Sequence, residues 1–416
     1  MKEQGLKKRL VFIESSDIGV KYSGQAARAL GFEPLFLCDL RHYQADPRAQ
    51  LSEFEVIDCP TANIDDLGRR LQSYTDIAAI TSFADIRMRI AYETARRLGV
   101  QSIDPTVCAL KDKSTVQGLV PEFSPSTIAF TLDKVPSAEI SALFQRAGSL
   151  IIKPVDSAGA LGLMAISSQN ELTQLREQPT LKELPSELLR GRWIAQSFVS
   201  GELISVEGFV SGGRARILGV SRRKKVGATE SGSTFPADHT LSAGERERAI
   251  AGVLALIERS RYLRGYFHIE FIVDGRDCTL IDANIGRIGG GAVAEQIALA
   301  YGHDPVDVFK HVLLTSLFPE RLNECGGLYA RPVKELEETF AILYGLEKGG
   351  SLHRVRLPQP LTTFHTQVLG EGAKVSPMGR DDWSWIGIIC GRTADSVRVA
   401  SEIEIITDEG AFKPYY

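Results

Sequence analysis

Short apolar runs and amphipathic segments alternate along the first hundred residues. The apolar runs at 9–14, 34–38, 54–58 and 76–82 predict strands, and the segments at 22–30, 64–73 and 84–98 predict the helices between them. This alternation is typical of a parallel sheet with helices on its faces. The turn after the first strand, SSDIGVKYSG, lacks the GxGxxG fingerprint of dinucleotide sites. We therefore predict a Rossmann-like domain without that fingerprint.

The pattern changes after Pro105. One helix is predicted at 106–118, and the proline-containing VPEFSPS that follows indicates a passage between domains. From 128 to 290 most apolar runs predict antiparallel strands, which helices at about 169–189 and 243–260 interrupt. Helices at 291–300 and 304–317 follow, and the last hundred residues predict a small lobe of short strands. This second part is therefore α+β in pattern.

Composition limits the class of protein. The chain has 416 residues, of which 44% are hydrophobic, and its net charge is −4. It can hold about two to three domains, and nothing in its charge indicates a nucleic acid or an anionic membrane as partner. The six cysteines lack CxxC spacing, which indicates free thiols in a reducing compartment. With no stretch near the ~20 apolar residues of a spanning helix, and an N-terminal apolar run too short for a signal peptide, we predict a soluble cytoplasmic protein.

A pair of carboxylates is predicted in GYFHIEFIVDGRDCTLIDANIGRIGGG, residues 265–291. Turn residues at 274–277 indicate a hairpin, and a loop of three or five residues would place Glu270 opposite Asp282. Asn284 would then continue on the same face. Opposed carboxylates repel each other unless a cation lies between them, and two carboxylates with an amide suit Mg²⁺. The alternative is that one carboxylate points to solvent on an edge strand.

Two glycine-containing stretches could bind anions. In GRIGGG, glycines permit a close approach of backbone N–H groups to an anion, and Arg287 can pair with a phosphate or a carboxylate. In IIKPVDSAGALG, residues 151–162, an apolar run reaches Lys153 and is followed by a loop. That stretch is either an ordinary hairpin with a surface lysine or a phosphate cradle with a matching cation.

The ordered set of these motifs carries a family likeness. Lys113 in LKDKSTV, Lys153, QSFVSGELISVEG at 196–208, HIEF and LIDANIGRIGGG together resemble the ATP-grasp superfamily, and within it the carboxylate–amine ligases called L-amino acid ligases or dipeptide synthetases. The resemblance implies a fold of α/β and α+β class: an N-terminal Rossmann-like domain (1–104), an ATP-grasp core (105–317) and a C-terminal lobe (318–416) that completes the large domain. Within the core, a small lobe at about 125–200 and a large lobe at about 201–317 would clasp ATP.

The same resemblance implies site residues. Those expected to contact ATP are Lys113, Lys153, Ser157, Gly159 and Gly162 at the phosphates, Gln196, Ser197, Phe198 and Val199 at the adenine, and one of Lys224 and Lys225. Those expected to hold Mg²⁺, or Mn²⁺ in its place, are Glu270, Asp282 and Asn284. Arg287, Gly289 and Gly290 are the expected catalytic groups, and Glu207 and His268 the expected substrate contacts.

The sequence departs from the family at two points. Ala160-Leu161 stands where the family often has Ser-Lys or Ser-Arg, so the phosphate loop would bind mainly through backbone N–H groups. Leu203 stands where the family has its ribose-contacting Glu, and Glu202 could supply that contact instead.

The resemblance implies an ATP-dependent ligase that joins a small carboxylate to an amine through an acyl phosphate. The alternatives are an ATP-grasp carboxylase or purine-biosynthesis ligase, and a non-catalytic ATP-binding regulatory protein. Small-molecule substrates are the expected partners, and the resemblance implies a homodimer.

Overall fold

The structure is a computed structural model that describes residues 8–14, 20–43, 47–157, 161–182, 184–361, 363–379 and 384–416. All six cysteines are present as thiols and not as disulfides. No described helix has both the length and the apolar character needed to cross a membrane.

The N-terminal part forms a parallel sheet, as the alternating pattern predicts. Its strands are β1 (Arg9–Ile13), β2 (Glu33–Cys38), β3 (Glu55–Asp58) and β4 (Ile77–Thr81), in the order β3-β2-β1-β4. The helices between them are α1 (Val20–Ala29), α2 (Ile64–Leu71) and α3 (Asp85–Leu98). The strands β1 and β2 are almost wholly buried, and buried strands give near-continuous apolar runs, which is why the sequence predicts these two well.

The single helix predicted at 106–118 is two helices, α4 (Thr106–Leu110) and α5 (Lys113–Leu119). Asp112 separates them in an extended conformation, and its carboxylate accepts hydrogen bonds from the N–H groups of Ser114 and Thr115. It is therefore the N-cap of α5.

A small antiparallel sheet follows. Its strands are β5 (Thr127–Thr131), β6 (Leu150–Pro154), β7 (Met164–Ile166) and β8 (Arg192–Ser197), in the order β5-β8-β6-β7, with α6 at Ser137–Ala147. The predicted helix at 169–189 is broken into α7 (Gln169–Thr173), α8 (Pro179–Lys182) and α9 (Ser186–Arg190). Pro179 and Pro185 stand at the starts of the later pieces, because proline cannot continue a helix from the preceding turn.

A second, larger antiparallel sheet follows in the chain. Among the described residues its strands are β9 (Glu202–Ser211), β10 (Arg214–Val226), β11 (Thr229–Phe235), β12 (Arg264–Val273), β13 (Cys278–Ile285), β14 (Thr339–Tyr344), β16 (Phe364–Gln367) and β18 (Gly387–Arg392). Their order is β13-β12-β9-β10-β11-β14-β18-β16. The strands β14, β16 and β18 come from the last hundred residues, so that part of the chain extends the large sheet.

The remaining strands form a small sheet of their own near the C-terminus. They are β15 (Gly350–Arg356), β17 (Lys374–Val375), β19 (Glu404–Thr407) and β20 (Gly410–Phe412), and α13 (Thr393–Glu402) precedes β19.

Several of the described helices pack on the large sheet. The helix α10 (Ala243–Ser260) contributes Val253 to the core that also contains Phe271 of β12. The helices α11 (Val293–Tyr301) and α12 (Pro305–Leu317) pack on other parts of the sheet, where Phe209 of β9 meets His311 of α12 with ring centroids 4.6 Å apart. The polar side chains considered next come from strands of this sheet.

Candidate active site between the two antiparallel sheets

The hairpin of β12 and β13 sets the position of the two carboxylates. Val273 pairs with Cys278, so the loop between them is four residues long, and the predicted length of three or five is wrong. The register then shifts by one residue, because Ile281 is bulged, and Glu270 pairs with Asp282. The predicted opposition of these carboxylates is therefore confirmed, through a bulge instead of an odd-numbered loop.

The carboxylates belong to a polar face of the large sheet. His268 pairs with Asn284 on one side and with Glu207 of β9 on the other, so alternate residues of three strands share this face. His268 Nδ1 lies 2.8 Å from Glu207 Oε1, and its Nε2 lies 3.3 Å from Glu270 Oε1. The imidazole thus bridges two carboxylates.

This bridge fixes the charge of Glu270. Burial raises the pKa of Glu270, but the hydrogen bond from His268 and the positive charges of His268, Arg223 and Lys225 outweigh it and hold the pKa well below its usual range. Burial lowers the pKa of His268, but the Glu207 carboxylate outweighs it and raises the pKa to about 9. Glu270 is therefore ionised and acceptor-only, which is the form that a hard cation requires.

The glycine loop that follows β13 lies directly on this face. A Cβ at Gly289 would lie 2.6 Å from His268 Nδ1, so only glycine lets the backbone approach so closely. Gly291 has φ +68°, and a Cβ there would meet Glu230 Oε1 at 3.3 Å. Gly290 lies between these two positions, and the loop leads into α11.

Arg287 connects this loop to the N-terminal part of the chain. Its Nε donates to Asp85 Oδ2 at 2.7 Å, and its NH2 donates to Asn284 Oδ1 at 3.0 Å. Burial lowers the pKa of Arg287, but Asp85 outweighs this and raises the pKa above its ordinary value. Arg287 therefore remains a cation, in contact with one residue of the predicted metal set.

Two lysines reach the carboxylates from outside the large sheet. Lys153 Nζ donates to the carbonyl of the bulged Ile281 at 3.3 Å. Lys113 Nζ donates to the Ser157 carbonyl at 2.8 Å and lies 3.6 Å from Asp282 Oδ1. The small sheet and the start of α5 thus each place an ammonium group at β13.

A third lysine acts on the same site. Burial lowers the pKa of Lys153 to about 8, the carboxylates of Asp282 and Glu270 oppose this effect, and the charges of Lys113 and Lys225 add to it. Lys224, by contrast, lies over the Tyr416 ring at 5.5 Å from its centroid. Of the two lysines between which the sequence left the choice open, Lys225 is the one whose charge acts on the site.

The phosphate loop is described in part. Ser157 Oγ donates to the Pro154 carbonyl at 3.3 Å. Gly162 has φ +77°, and a Cβ there would lie 2.9 Å from Pro154 Cγ, so this turn requires glycine. Gly159 lies outside the described residues.

The segment expected at the adenine, residues 196–199, has one exposed aromatic ring. Phe198 is 48% exposed, whereas Gln196 is buried and its Nε2 donates to Thr127 Oγ1 at 3.1 Å. Ser197 and Val199 are half-buried. Contact with a base through the Phe198 ring and the strand backbone fits this arrangement better than contact through the Gln196 side chain.

Three expectations need correction. Glu202 forms an ion pair with Arg222. Side chains alternate along a strand, so Glu202 lies on the opposite face of β9 from Ser205 and Glu207, which belong to the polar face. The side chain of Glu202 therefore does not replace the missing ribose contact. Glu207 and His268 are 1% and 2% exposed, so neither side chain offers a surface to a substrate. His268 instead contacts Glu270, and Glu207 contacts the other nitrogen of the His268 ring.

Sequence reasoning missed other charged residues near the site. Asp85 and Lys111 form an ion pair of 2.5 Å. Arg223 pairs with Glu230 in a buried position beside Gly291. The carboxyl end of a parallel strand is a usual place for functional residues, and that signal could have drawn attention to Asp85 after β4.

The predicted metal-binding residues supply part of the ligand set that a magnesium ion needs. No group of three or more His, Cys, Asp or Glu in the described ranges is arranged to hold a metal alone. The side chains of Glu270 and Asp282 are nevertheless 21% and 24% exposed on the polar face, with the Asn284 amide beside them. Mg²⁺ commonly takes one or two protein carboxylates and completes its shell with water and substrate phosphates, so an open set of this kind suits it.

Comparison with known proteins agrees with this fold. Residues 128–291 match the family model of the ATP-grasp domain. The chain thus contains an ATP-grasp domain and has the ATP-grasp fold. A comparison with curated protein sequences gave no significant match.

Solved structures resemble the chain over nearly its whole length. An L-amino acid ligase from Bacillus licheniformis has a TM-score of 0.73 at 17% identity, covering 97% of this chain and 99% of that one. A phosphoribosylglycinamide synthetase from Anaerococcus prevotii has a TM-score of 0.68 at 14% identity, covering 97% and 100%. The biotin carboxylase domain of a 2-oxoglutarate carboxylase from Hydrogenobacter thermophilus, solved with MgADP and bicarbonate, has a TM-score of 0.71 at 14% identity, covering 97% and 91%.

Proposed function

We propose that the protein is an ATP-dependent carboxylate–amine ligase that forms an amide bond and releases ADP and phosphate. The observation that supports this most directly is the opposed pair Glu270 and Asp282 with two ammonium groups nearby. That of Lys113 lies 3.6 Å from Asp282 Oδ1, and that of Lys153 donates to the carbonyl of the adjacent Ile281. Opposed carboxylates are unfavourable unless cations compensate them. A site with this balance of charges suits a metal–nucleotide complex.

The proposed reaction has two steps. An oxygen of the substrate carboxylate attacks the γ-phosphorus of ATP, the bond to the ADP oxygen breaks, and an acyl phosphate forms. The amine nitrogen then attacks the acyl carbon, phosphate leaves with the C–O bond electrons, and the nitrogen loses a proton. Phosphoryl transfer depends mainly on positioning and on neutralising charge, which Lys113, Lys153 and Lys225 can do here.

Glu270, Asp282 and Asn284 would hold the ion, Mg²⁺ or Mn²⁺, which would supply positive charge to neutralise the phosphates. The contribution of this chain is to keep Glu270 ionised through His268 and Glu207. Arg287 keeps the Asn284 amide oriented by donating to its oxygen.

The second step needs donors for a tetrahedral oxyanion. Arg287 and the backbone N–H groups of Gly289 and Gly290 are the candidates, since the loop lies on the polar face. The loop at 156–162, with Ser157 and Gly162, would close over the phosphates and exclude water that hydrolyses an acyl phosphate. The small lobe at about 125–200, the large lobe at about 201–317 and the C-terminal lobe remain our proposed domain division.

The resemblance to a solved L-amino acid ligase supports an amino acid as one of the two substrates. We propose a cytoplasmic enzyme that acts on small molecules, with a homodimer as its assembly.

The test is to incubate the purified protein with Mg-ATP and pools of amino acids, and to record phosphate release together with product masses. Amine-dependent release, with a product equal to two substrates less water, supports the proposal. Release that requires bicarbonate would indicate a carboxylase. ATP binding without release from any pool would leave a non-catalytic protein.

A further inference from the structure

Asp85 joins three segments of the chain through one carboxylate. It is the first residue of α3, and it follows the carboxyl end of β4. Its Oδ1 lies 2.5 Å from Lys111 Nζ, and its Oδ2 accepts from Arg287 Nε at 2.7 Å. The two cations exceed the charge of the single carboxylate, so the cluster keeps a positive charge.

Other atoms of the Arg287 guanidinium are held as well. Its NH2 lies 2.5 Å from the same Asp85 Oδ2 and donates to Asn284 Oδ1 at 3.0 Å, and its NH1 donates to the Ile288 carbonyl at 3.0 Å. A guanidinium is planar, so anchors at Nε, NH1 and NH2 fix both its position and its plane. The orientation of Arg287 therefore depends on Asp85 as much as on its own loop.

Close packing supports this placement. Gly286, which precedes Arg287, has φ +92°, and a Cβ there would lie 2.7 Å from Met88 of α3 and 2.7 Å from Val107 of α4. The end of β13 thus approaches the N-terminal part at a separation that only glycine permits. The backbone at Gly286 thus packs against side chains of α3 and α4, next to the contact between Arg287 and Asp85.

We propose that Asp85 is a positioning residue, which holds the Arg287 guanidinium beside Asn284 so that the N-terminal part sets the geometry around the terminal phosphate of ATP. This inference rests on the nucleotide site of the proposed function and does not require the ligase reaction. A purely structural ion pair would stabilise the fold without favouring one nucleotide over another.

The test is a double-mutant cycle on nucleotide affinity. Calorimetry would measure the Kd of Mg-ADP and of the magnesium complex of AMPPNP, a non-hydrolysable ATP analogue, for the native chain, Asp85→Ala, Arg287→Ala and the double variant. We expect Asp85→Ala to weaken AMPPNP by about tenfold, as for one lost charge-assisted hydrogen bond, and ADP by less than about threefold. In the Arg287→Ala background, Asp85→Ala should cause no further loss.

Two further variants complete the cycle. Asp85→Asn keeps an oxygen that can accept from Arg287 Nε, so its loss should be smaller than that of Asp85→Ala. It also replaces Asp85→Ala if the alanine variant does not fold. Asp76→Ala is the matched control, because Asp76 forms an ion pair with Arg9 in the same N-terminal part, and it should leave both affinities unchanged.

Equal loss of both nucleotides, or a full loss that persists in the Arg287→Ala background, would overturn the inference. So would an equal effect of Asp76→Ala. If the selective loss of AMPPNP is seen while no amide forms from any pool, the ligase proposal fails and the role of Asp85 stands. If the native chain binds neither nucleotide, both fail.

Discussion

Replacement of Lys153 by Met should weaken the binding of Mg-ATP more than a change at Ser157. Lys153 is half-buried, with its Nζ bonded only to the Ile281 carbonyl among the described residues, so a phosphate could take up its remaining donors. A hydrogen bond to a charged group contributes about 1.5–3 kcal/mol, which corresponds to a loss of about tenfold to 150-fold in affinity. Ser157 Oγ is bonded to the Pro154 carbonyl, and Ser157→Ala should cost less than about threefold.

The same lysine predicts how affinity depends on pH. Burial lowers the pKa of Lys153 from 10.5 to about 8, so the free protein loses this cation as the pH rises through about 8. Phosphate binds the cationic form and so raises its pKa. Affinity should therefore be full at about pH 7 and fall by about tenfold at about pH 9, since one pH unit above the pKa leaves about a tenth of the lysine charged.

Lys153→Arg is the matched control. Arginine stays charged over this range, so if the variant binds Mg-ATP its affinity should not show the loss between about pH 7 and pH 9. Calorimetry of AMPPNP binding gives these values without turnover. If Ser157→Ala binds more weakly than Lys153→Met, or if the native chain and Lys153→Arg have the same pH profile, Lys153 is not the cation that binds phosphate.

Three further predictions concern other parts of the site. Glu270→Gln and Asp282→Asn should each abolish phosphate release while circular dichroism and melting temperature show an intact fold; normal release would contradict the metal assignment. Gly289→Ala should lower kcat by about tenfold or more, because its Cβ would lie 2.6 Å from the imidazole beneath it, whereas Gly244→Ala has open space and should match the native rate in the same assay. Glu202→Ala should change the Kd of Mg-ATP by less than about threefold, and a larger loss would restore this residue as a nucleotide contact.

The fold could be predicted where the sequence pattern has a single physical cause. The buried parallel strands appear as continuous apolar runs, and β1 and β2 lie within a residue of their predicted bounds. The prediction of one helix at 169–189 was wrong. The apolar spacing is helical, but Pro179 and Pro185 divide the segment into separate helices. Hydrophobic periodicity alone does not show where a proline ends a helix.

The site could be predicted only within local segments. Glu270 and Asp282 are twelve residues apart on one hairpin, so their pairing could be predicted from the sequence, but the bulge at Ile281 that produces this register could not. The contact of His268 with Glu207 depends on β12 lying beside β9, and strand order is not visible in a single sequence. Arg287 and Asp85 are brought together although they lie 202 residues apart in the sequence, which no local pattern could indicate.

The error on Glu202 has a simple origin. Its position one residue before the expected register looked like a small shift that the chain could absorb. In a strand, one residue reverses the side-chain direction, so Glu202 pairs with Arg222 instead of facing the site.

The proposed reaction converts the substrate carboxylate into an acyl phosphate. The most direct test uses amino acids whose carboxylates carry a heavy-oxygen label, with Mg-ATP, and follows the label by mass spectrometry of the released phosphate. We predict one labelled oxygen in phosphate for each amide formed, and no label in AMP. Amide formation with unlabelled phosphate, or with label in AMP, would exclude an acyl phosphate as the intermediate.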